Sequence, residues 1–149
     1  MRLVVQRVSR ASVRVAGETV GRIERGFLVL FGAEVGDAPE AADEAARKVA
    51  GLRVFDDAAG KMNLALADVG GSVLAVSQFT LAADLSRGRR PGFDRALRGP
   101  EAEPLYERFV AALREQGLTV ATGVFGASME VELVNEGPAT FLLELPARA

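Results

Sequence analysis

Apolar and polar residues alternate from Arg2 to Val8 and again from Ser12 to Val15, the two-residue period of half-buried strands. The Ala16-Gly17-Glu18 step that follows reads as a hairpin turn. Phe27-Leu28-Val29-Leu30-Phe31 is apolar without interruption, as expected of a central strand covered on both faces. The period then changes. Gly36-Asp37-Ala38-Pro39 carries helix-start chemistry, and Asp43/Arg47 and Glu44/Lys48 stand four apart, which predicts a helix over about 39–53. Leu105, Phe109 and Leu113 recur every fourth residue behind Pro100 and Pro104, with Gly117 as a C-cap, and predict a second helix over roughly 101–116. Gly70-Gly71-Ser72 interrupts the chain before the short apolar strand Val73–Val76. Apolar segments around 118–125, 129–134 and 141–145 complete it, the last two separated by Asn135-Glu136-Gly137-Pro138. With no internal repeat or linker, the expectation is one α+β domain over residues 1–149, with two main helices and a mostly antiparallel or mixed, partly open, barrel-like sheet system.

Composition narrows the chemistry. The 149 residues contain neither histidine nor cysteine, which removes the commonest general base, the thiol nucleophile, disulfides and the usual zinc ligands. No apolar stretch is long enough to span a bilayer, and no leader pattern precedes the first strand, so a cytoplasmic protein with no membrane role is expected. The formal net charge of −2 argues against strong nonspecific attraction to nucleic acid. Only Lys48 and Lys61 are lysines, and a coding bias toward arginine accounts for the arginine total.

Placement of polar residues is more telling. Ser77-Gln78-Phe79-Thr80 stands where an apolar strand ends, a position that holds side chains rigidly beside open space; it also fits a strand that merely exits to solvent. Asn135-Glu136-Gly137-Pro138-Ala139-Thr140 fits a turn joining two strands, with a Gly-Pro bond whose isomer the sequence leaves open. Arg87, Arg89, Arg90, Arg95 and Arg98 cluster in a Gly/Pro-interrupted loop, suited either to phosphates or to simple solvation among Asp84, Asp94, Glu101 and Glu103.

Taken together, Ser77-Gln78-Phe79-Thr80-Leu81 and Asn135-Glu136-Gly137-Pro138-Ala139-Thr140-Phe141 resemble, in order and separation, the two signature motifs of the D-aminoacyl-tRNA deacylase family. Gln6-Arg7-Val8, Gly60-Lys61-Met62-Asn63 and Arg90-Pro91 with Phe93 extend the resemblance almost end to end. The chain departs from the family pattern at Glu136, Ala139 and Gly92, where Asp, Val and a more polar residue are common. The resemblance implies a homodimeric ester hydrolase that needs no cofactor or metal and takes the 3′ end and acceptor stem of aminoacyl-tRNA as partner. It implies a cis Gly137-Pro138 peptide projecting into the partner subunit's pocket, where it bars L side chains. Glycine misattached to alanine tRNA is then also a substrate.

Without histidine, a hydroxyl nucleophile at Thr80 or Ser77 lacks its usual base, and Lys61 is the residue for a hydroxyl-lysine dyad. The aminoacyl ester offers another route, because the neighbouring ribose hydroxyl can position water while the protein holds the ester. Ser77, Gln78 and the Phe79 backbone are therefore assigned to the adenosine and ester, Thr80 to positioning or nucleophilic attack, Gly137 and Pro138 to chirality, and Arg87, Arg89, Arg90 and Arg95 to tRNA phosphates. A non-catalytic nucleic-acid-binding module and a general esterase are the competing classes.

Overall fold

The computed structural model describes residues 1–147, and its element order is β1 (Arg2–Val15), β2 (Glu18–Ile23), β3 (Gly26–Gly32), α1 (Pro39–Gly51), β4 (Phe55–Asp56), β5 (Met62–Leu64), β6 (Ser72–Ser77), α2 (Glu103–Glu115), β7 (Val120–Thr122) and β8 (Glu130–Glu144). The main sheet runs β2-β1-β3-β6-β7, with β8 on the other edge of β1. It is mixed: β1 pairs antiparallel with β2, β3 and β8, whereas β3–β6 and β6–β7 are parallel. The ends of the path, β2 and β7, approach without a ladder, and Gly21 allows this, because a Cβ there would stand 2.3 Å from the Thr122 carbonyl oxygen. The sheet is thereby curled into a nearly closed barrel.

Strand alternation explains the two cores. Phe27, Val29 and Phe31 of β3, with Val73 and Ala75 of β6, face the layer of α1 and α2, where Phe109 and Leu113 are fully buried. Leu28, Leu74 and Val76 point the other way, into a second cluster with Val8, Val13 and Ile23. The uninterrupted apolar run in β3 is thus covered on both faces, as its sequence predicts.

Several expectations are corrected. The two strands expected at 2–8 and 12–15 are one, because β8 pairs along the whole of β1 and its bulges absorb the break in alternation. Asn135–Pro138 is not a turn between strands but lies inside β8. Helix one ends at Gly51, and Asp37 does not cap it; the N-cap is Ala38, with no side-chain bond. Asp43 is bonded across the helix pair to Arg108 at 2.7 and 3.0 Å instead of serving only the expected pairing with Arg47. Helix two begins at Glu103, after a 3-10 turn over Gly99–Glu101, and the 118–125 segment yields strand only over Val120–Thr122.

Asp37 has another task. The Met1 ammonium, in a fully buried residue, donates to Glu34 Oε1 at 3.0 Å, Asp37 Oδ1 at 3.0 Å and the Leu145 carbonyl at 2.9 Å, tying the start of β1 to the loop before α1 and to the segment after β8. Partial burial pushes the Glu34 carboxyl up, but the hydrogen bond and charge of the ammonium, with Arg2 and Arg95, outweigh it and hold the carboxyl below its ordinary value. A depressed folded-state pKa means stability that is present above the unfolded value and lost as pH falls through the folded one. Glu34→Gln is accordingly expected to cost about 1 kcal/mol at neutral pH. The gap between thermal melts of the two proteins should close as pH falls below the ordinary carboxylate range and through the depressed folded-state value of Glu34; a difference that stays constant with pH would assign the effect to packing.

Candidate active site

The parallel pair β3 and β6 ends at one place, and ligands commonly bind beyond the carboxyl ends of parallel strands. Phe31 and Ser77 are in register there, and the Gln78 N–H continues the ladder by donating to the Phe31 carbonyl at 2.7 Å. Beyond this bond the chain turns into a 3-10 segment, Phe79–Ala82, in which the Leu81 and Ala83 N–H groups donate to Gln78 and Thr80 carbonyls. The N–H groups of Phe79 and Thr80 find no acceptor among the described residues.

This turn forms one wall of a cavity of about 420 Å³, within the range of small-ligand sites. Ser77, Gln78 and Phe79 line it together; Thr80 is exposed beside it, its hydroxyl accepting from Gln78 Nε2 at 2.6 Å. The floor is apolar, made by Phe31, Val76, Phe125, Met129 and Val131, and the Gly126-Ala127 turn supplies the far side. Among the described residues no carboxylate or lysine lines the cavity. Behind it the buried Tyr106 hydroxyl donates to the Ala75 carbonyl at 2.7 Å; burial pushes its pKa up to about 12 against the opposing charge of Arg114, so the phenol stays protonated near neutral pH.

Asp84, beside the arginine loop, has a structural role. It pairs through its main chain with Gly92 at the base of the arginine loop, and the Ser86 side chain and main chain, bonded to its carboxylate, hold its carboxyl below the ordinary value, with Arg95 adding to the effect against some desolvation. Lys61 lies in the β4–β5 hairpin, where its N–H donates to Asp57, and does not line the cavity. Arg87, Arg89 and Arg90 are exposed on the loop. Arg95, 57% exposed, is paired with Glu34 at 3.3 Å. Arg98 lines the cavity mouth and sits over the rings of Phe79 and Phe93.

Gly137 and Pro138 do not line this cavity. Their peptide bond is cis, and the segment is a bulge: Gln6 pairs with Thr140 and Val8 with Asn135, so residues 136–139 stand opposite Arg7 alone. Arg7, 5% exposed, fills the gap, donating from Nε to the Glu136 carbonyl at 2.9 Å and from Nη1 to the Val54 carbonyl at 2.6 Å. Asn135 Nδ2 closes the bulge by donating to the Arg7 and Ala139 carbonyls. The result is an exposed Gly-Pro tip on a braced base.

Sequence reading assigned no role to Gly32, Phe125, Gly126 or Met129. Gly32 has a local signal in retrospect, a glycine ending an apolar strand: a Cβ there would meet the Gln78 carbonyl oxygen at 2.8 Å and Leu81 Cβ at 3.0 Å. The others come from the segment after β7 and could be placed only by tertiary structure.

Comparison with known proteins covers nearly the whole chain. Residues 4–144 match the profile of the D-Tyr-tRNA(Tyr) deacylase family. A D-aminoacyl-tRNA deacylase of Symbiobacterium thermophilum is 61% identical over 97% of this chain and 95% of its own, and that of Geobacter sulfurreducens 55% identical over 100% and 98%. Among solved structures, a c-Myc DNA unwinding element binding protein superposes with a TM-score of 0.92 at 41% identity, covering 99% of this chain and 100% of its own. A probable eukaryotic D-amino acid tRNA deacylase, 19% identical, shares the fold with a TM-score of 0.83 over 97% and 98%.

Proposed function

The chain belongs to the D-Tyr-tRNA(Tyr) deacylase family and is a hydrolase of the D-aminoacyl-tRNA ester bond, and from that premise we propose how its own residues perform the reaction. The observation that carries the reading is the cavity at the β3–β6 ends, walled by Ser77, Gln78 and Phe79 and lined by no carboxylate or lysine among the described residues. Ser77, Gln78 and the Phe79 main chain hold the terminal adenosine and the ester. The unspent Phe79 N–H faces charge that develops on the ester oxygen, a donor worth about 3 kcal/mol in comparable acyl-transfer sites.

Water adds to the ester carbonyl and the bond to the ribose oxygen breaks; that oxygen leaves with one of the water protons, the other passes to solvent, and the D-amino acid departs as its carboxylate. The neighbouring ribose hydroxyl orients the water. Thr80 serves as a positioning residue: its hydroxyl is held by an amide, not by a base, and Lys61 is not part of the cavity. The chain works as one domain and as a cytoplasmic homodimer in translation proofreading. In that dimer the exposed Gly137-Pro138 tip of one copy, absent from its own cavity, forms the wall of the other's that an L side chain strikes and a D side chain or glycine does not, which extends the activity to glycine on alanine tRNA. Arg87, Arg89 and Arg90, with Arg95 once it is drawn from Glu34, meet acceptor-stem phosphates.

The test uses D-tyrosyl-tRNA, L-tyrosyl-tRNA and a D-ester lacking the terminal 2′-hydroxyl. The expected result is cleavage of the first alone, with the deoxy ester slowed by at least about a hundredfold. Equal cleavage of the L ester would sink the chirality assignment, and an undiminished deoxy rate would return Thr80 to nucleophile. A non-catalytic nucleic-acid-binding role is the second reading, favoured by the exposed arginine loop and the DNA-binding relative in structure. It predicts binding of duplex ends irrespective of the ester.

A further inference from the structure

Arg98 differs from every other arginine of its segment. Among the described residues it alone of Arg87, Arg89, Arg90, Arg95 and Arg98 lines the cavity. Its Cζ stands 5.3 Å from the Phe79 ring centroid and 5.6 Å from that of Phe93, and the two rings meet edge-on at 62° with centroids 5.4 Å apart. Both distances are within the reach of cation–π attraction. The seat comes from two separate elements, the 3-10 turn after β6 and the returning limb of the arginine loop. The Leu97 N–H, donating to the Ala33 carbonyl at 3.0 Å, pins the backbone immediately before Arg98 to the extension of β3.

A cation–π contact occupies no hydrogen-bond acceptor and leaves the N–H groups of a guanidinium available to a ligand. Arg98 donates to no carboxylate or carbonyl among the described residues, whereas Arg95 is paired with Glu34 and Arg7 is consumed by Val54, Asp56 and Glu136. The cavity mouth therefore carries a cation whose position is set by two rings and whose donors are unused. A planar fork of this kind suits the paired oxygens of a phosphate.

The chemistry of the substrate identifies that phosphate. A cavity of about 420 Å³ accommodates a nucleoside with its ester, and the remainder of the nucleic acid must leave through the mouth. The first charged group on that path is the 5′-phosphate of the terminal nucleoside. We propose that Arg98 clamps this phosphate, so that the ring-seated guanidinium distinguishes the 3′ end of a nucleic acid from a free aminoacyl nucleoside or a simple ester. The inference rests on the reading that nucleoside and ester occupy this cavity. It makes Arg98 a positioning residue, distinct in role from the diffuse charge of Arg87, Arg89 and Arg90.

The experiment compares two non-hydrolysable 3′-amide ligands, D-tyrosyl-amido-adenosine and its 5′-monophosphate, by calorimetry on the wild type, R98A and R98K. The wild type is expected to favour the phosphate-bearing ligand by about tenfold, the value of one charge-assisted hydrogen-bonded contact. In R98A the ratio of the two dissociation constants falls to about one, and in R98K it is only partly kept, because an ammonium lacks the planar fork. On D-tyrosyl-tRNA the R98A substitution raises KM by a similar factor and leaves kcat within about twofold. An R98A ratio equal to that of the wild type would overturn the assignment, as would equal weakening of both ligands, which would mark Arg98 as a lid over the nucleoside. Failure of the wild type to bind either ligand while still cleaving D-tyrosyl-tRNA would overturn the location of the nucleoside, and the clamp with it.

Discussion

Arg7→Ala is expected to lower the unfolding free energy by about 3 kcal/mol, the scale on which removing one partner of a buried, hydrogen-bonded charge acts. Its guanidinium is 5% exposed and satisfies the carbonyls of Glu136 and Val54 while standing 3.6 Å from Asp56 and 3.7 Å from Glu136. Alanine would leave two carbonyls and a void where β1, β4 and the β8 bulge meet. For a chain of this length the melting temperature should fall by roughly 6–12 °C. The expected functional effect rests on the proposed role of the Gly137-Pro138 tip in the partner's cavity: Arg7 braces the base of that tip, and misplacing a site element by about 1 Å can cost a hundredfold. The D-over-L selectivity of cleavage should therefore fall by about that factor. Arg7→Lys separates the two effects, since an ammonium keeps the charge near Asp56 and Glu136 but cannot reach both carbonyls in one plane. If Arg7→Ala melts as the wild type does, or keeps full selectivity while folded, the bracing role is wrong.

Gly32→Ala is expected to damage activity more than stability. The added methyl would stand 2.8 Å from the Gln78 carbonyl oxygen, a main-chain atom, and 3.0 Å from Leu81 Cβ. Something must shift, and the Gln78–Leu81 turn, tied to β3 through the Gln78 N–H and packed through the Phe79 ring, is expected to yield before β3 and β6, which are clamped by their ladder and both cores. Overpacking of this size costs about 1–3 kcal/mol in stability. Displacement of the turn carries Gln78 and the Phe79 N–H away from the position proposed for the ester, and on that assignment kcat/KM for D-aminoacyl-tRNA should fall about a hundredfold. Parallel melting and rate measurements decide the matter. A large loss of stability with normal specific activity would mean that β3 yields instead of the turn.

Both substitutions act at places that illustrate how far the chain could be read. The apolar run at Phe27–Phe31 and the four-residue spacing of Leu105, Phe109 and Leu113 identify a doubly covered strand and a helix, because those periods depend only on local geometry. Local pattern placed Ser77–Leu81 at the end of an apolar strand and left a plain exit to solvent open; the family resemblance, not periodicity, singled the segment out. Asn135–Thr140 was read as a turn because Asn, Gly and Pro favour turns locally. It is a bulge within one strand, since β1 supplies pairing partners on both sides of it and Arg7 fills its centre.

The sequence by itself determined the class of chemistry. No histidine or cysteine is available to activate a nucleophile, two polar motifs stand in a family-specific order, and the arginines cluster in one loop. Tertiary structure alone decided which of these residues meet. Ser77, Gln78 and Phe79 gain Phe125 and Met129 as neighbours because β6 and the segment after β7 lie side by side in a curled sheet. Gly137 and Pro138 are held away from that cavity by the β1–β8 register, and Arg98 leaves the company of the loop arginines because Phe79 and Phe93 converge beneath it. Periodicity records which face of an element is buried, but the partner against that face comes from remote chain, and its identity is written in register and close approach.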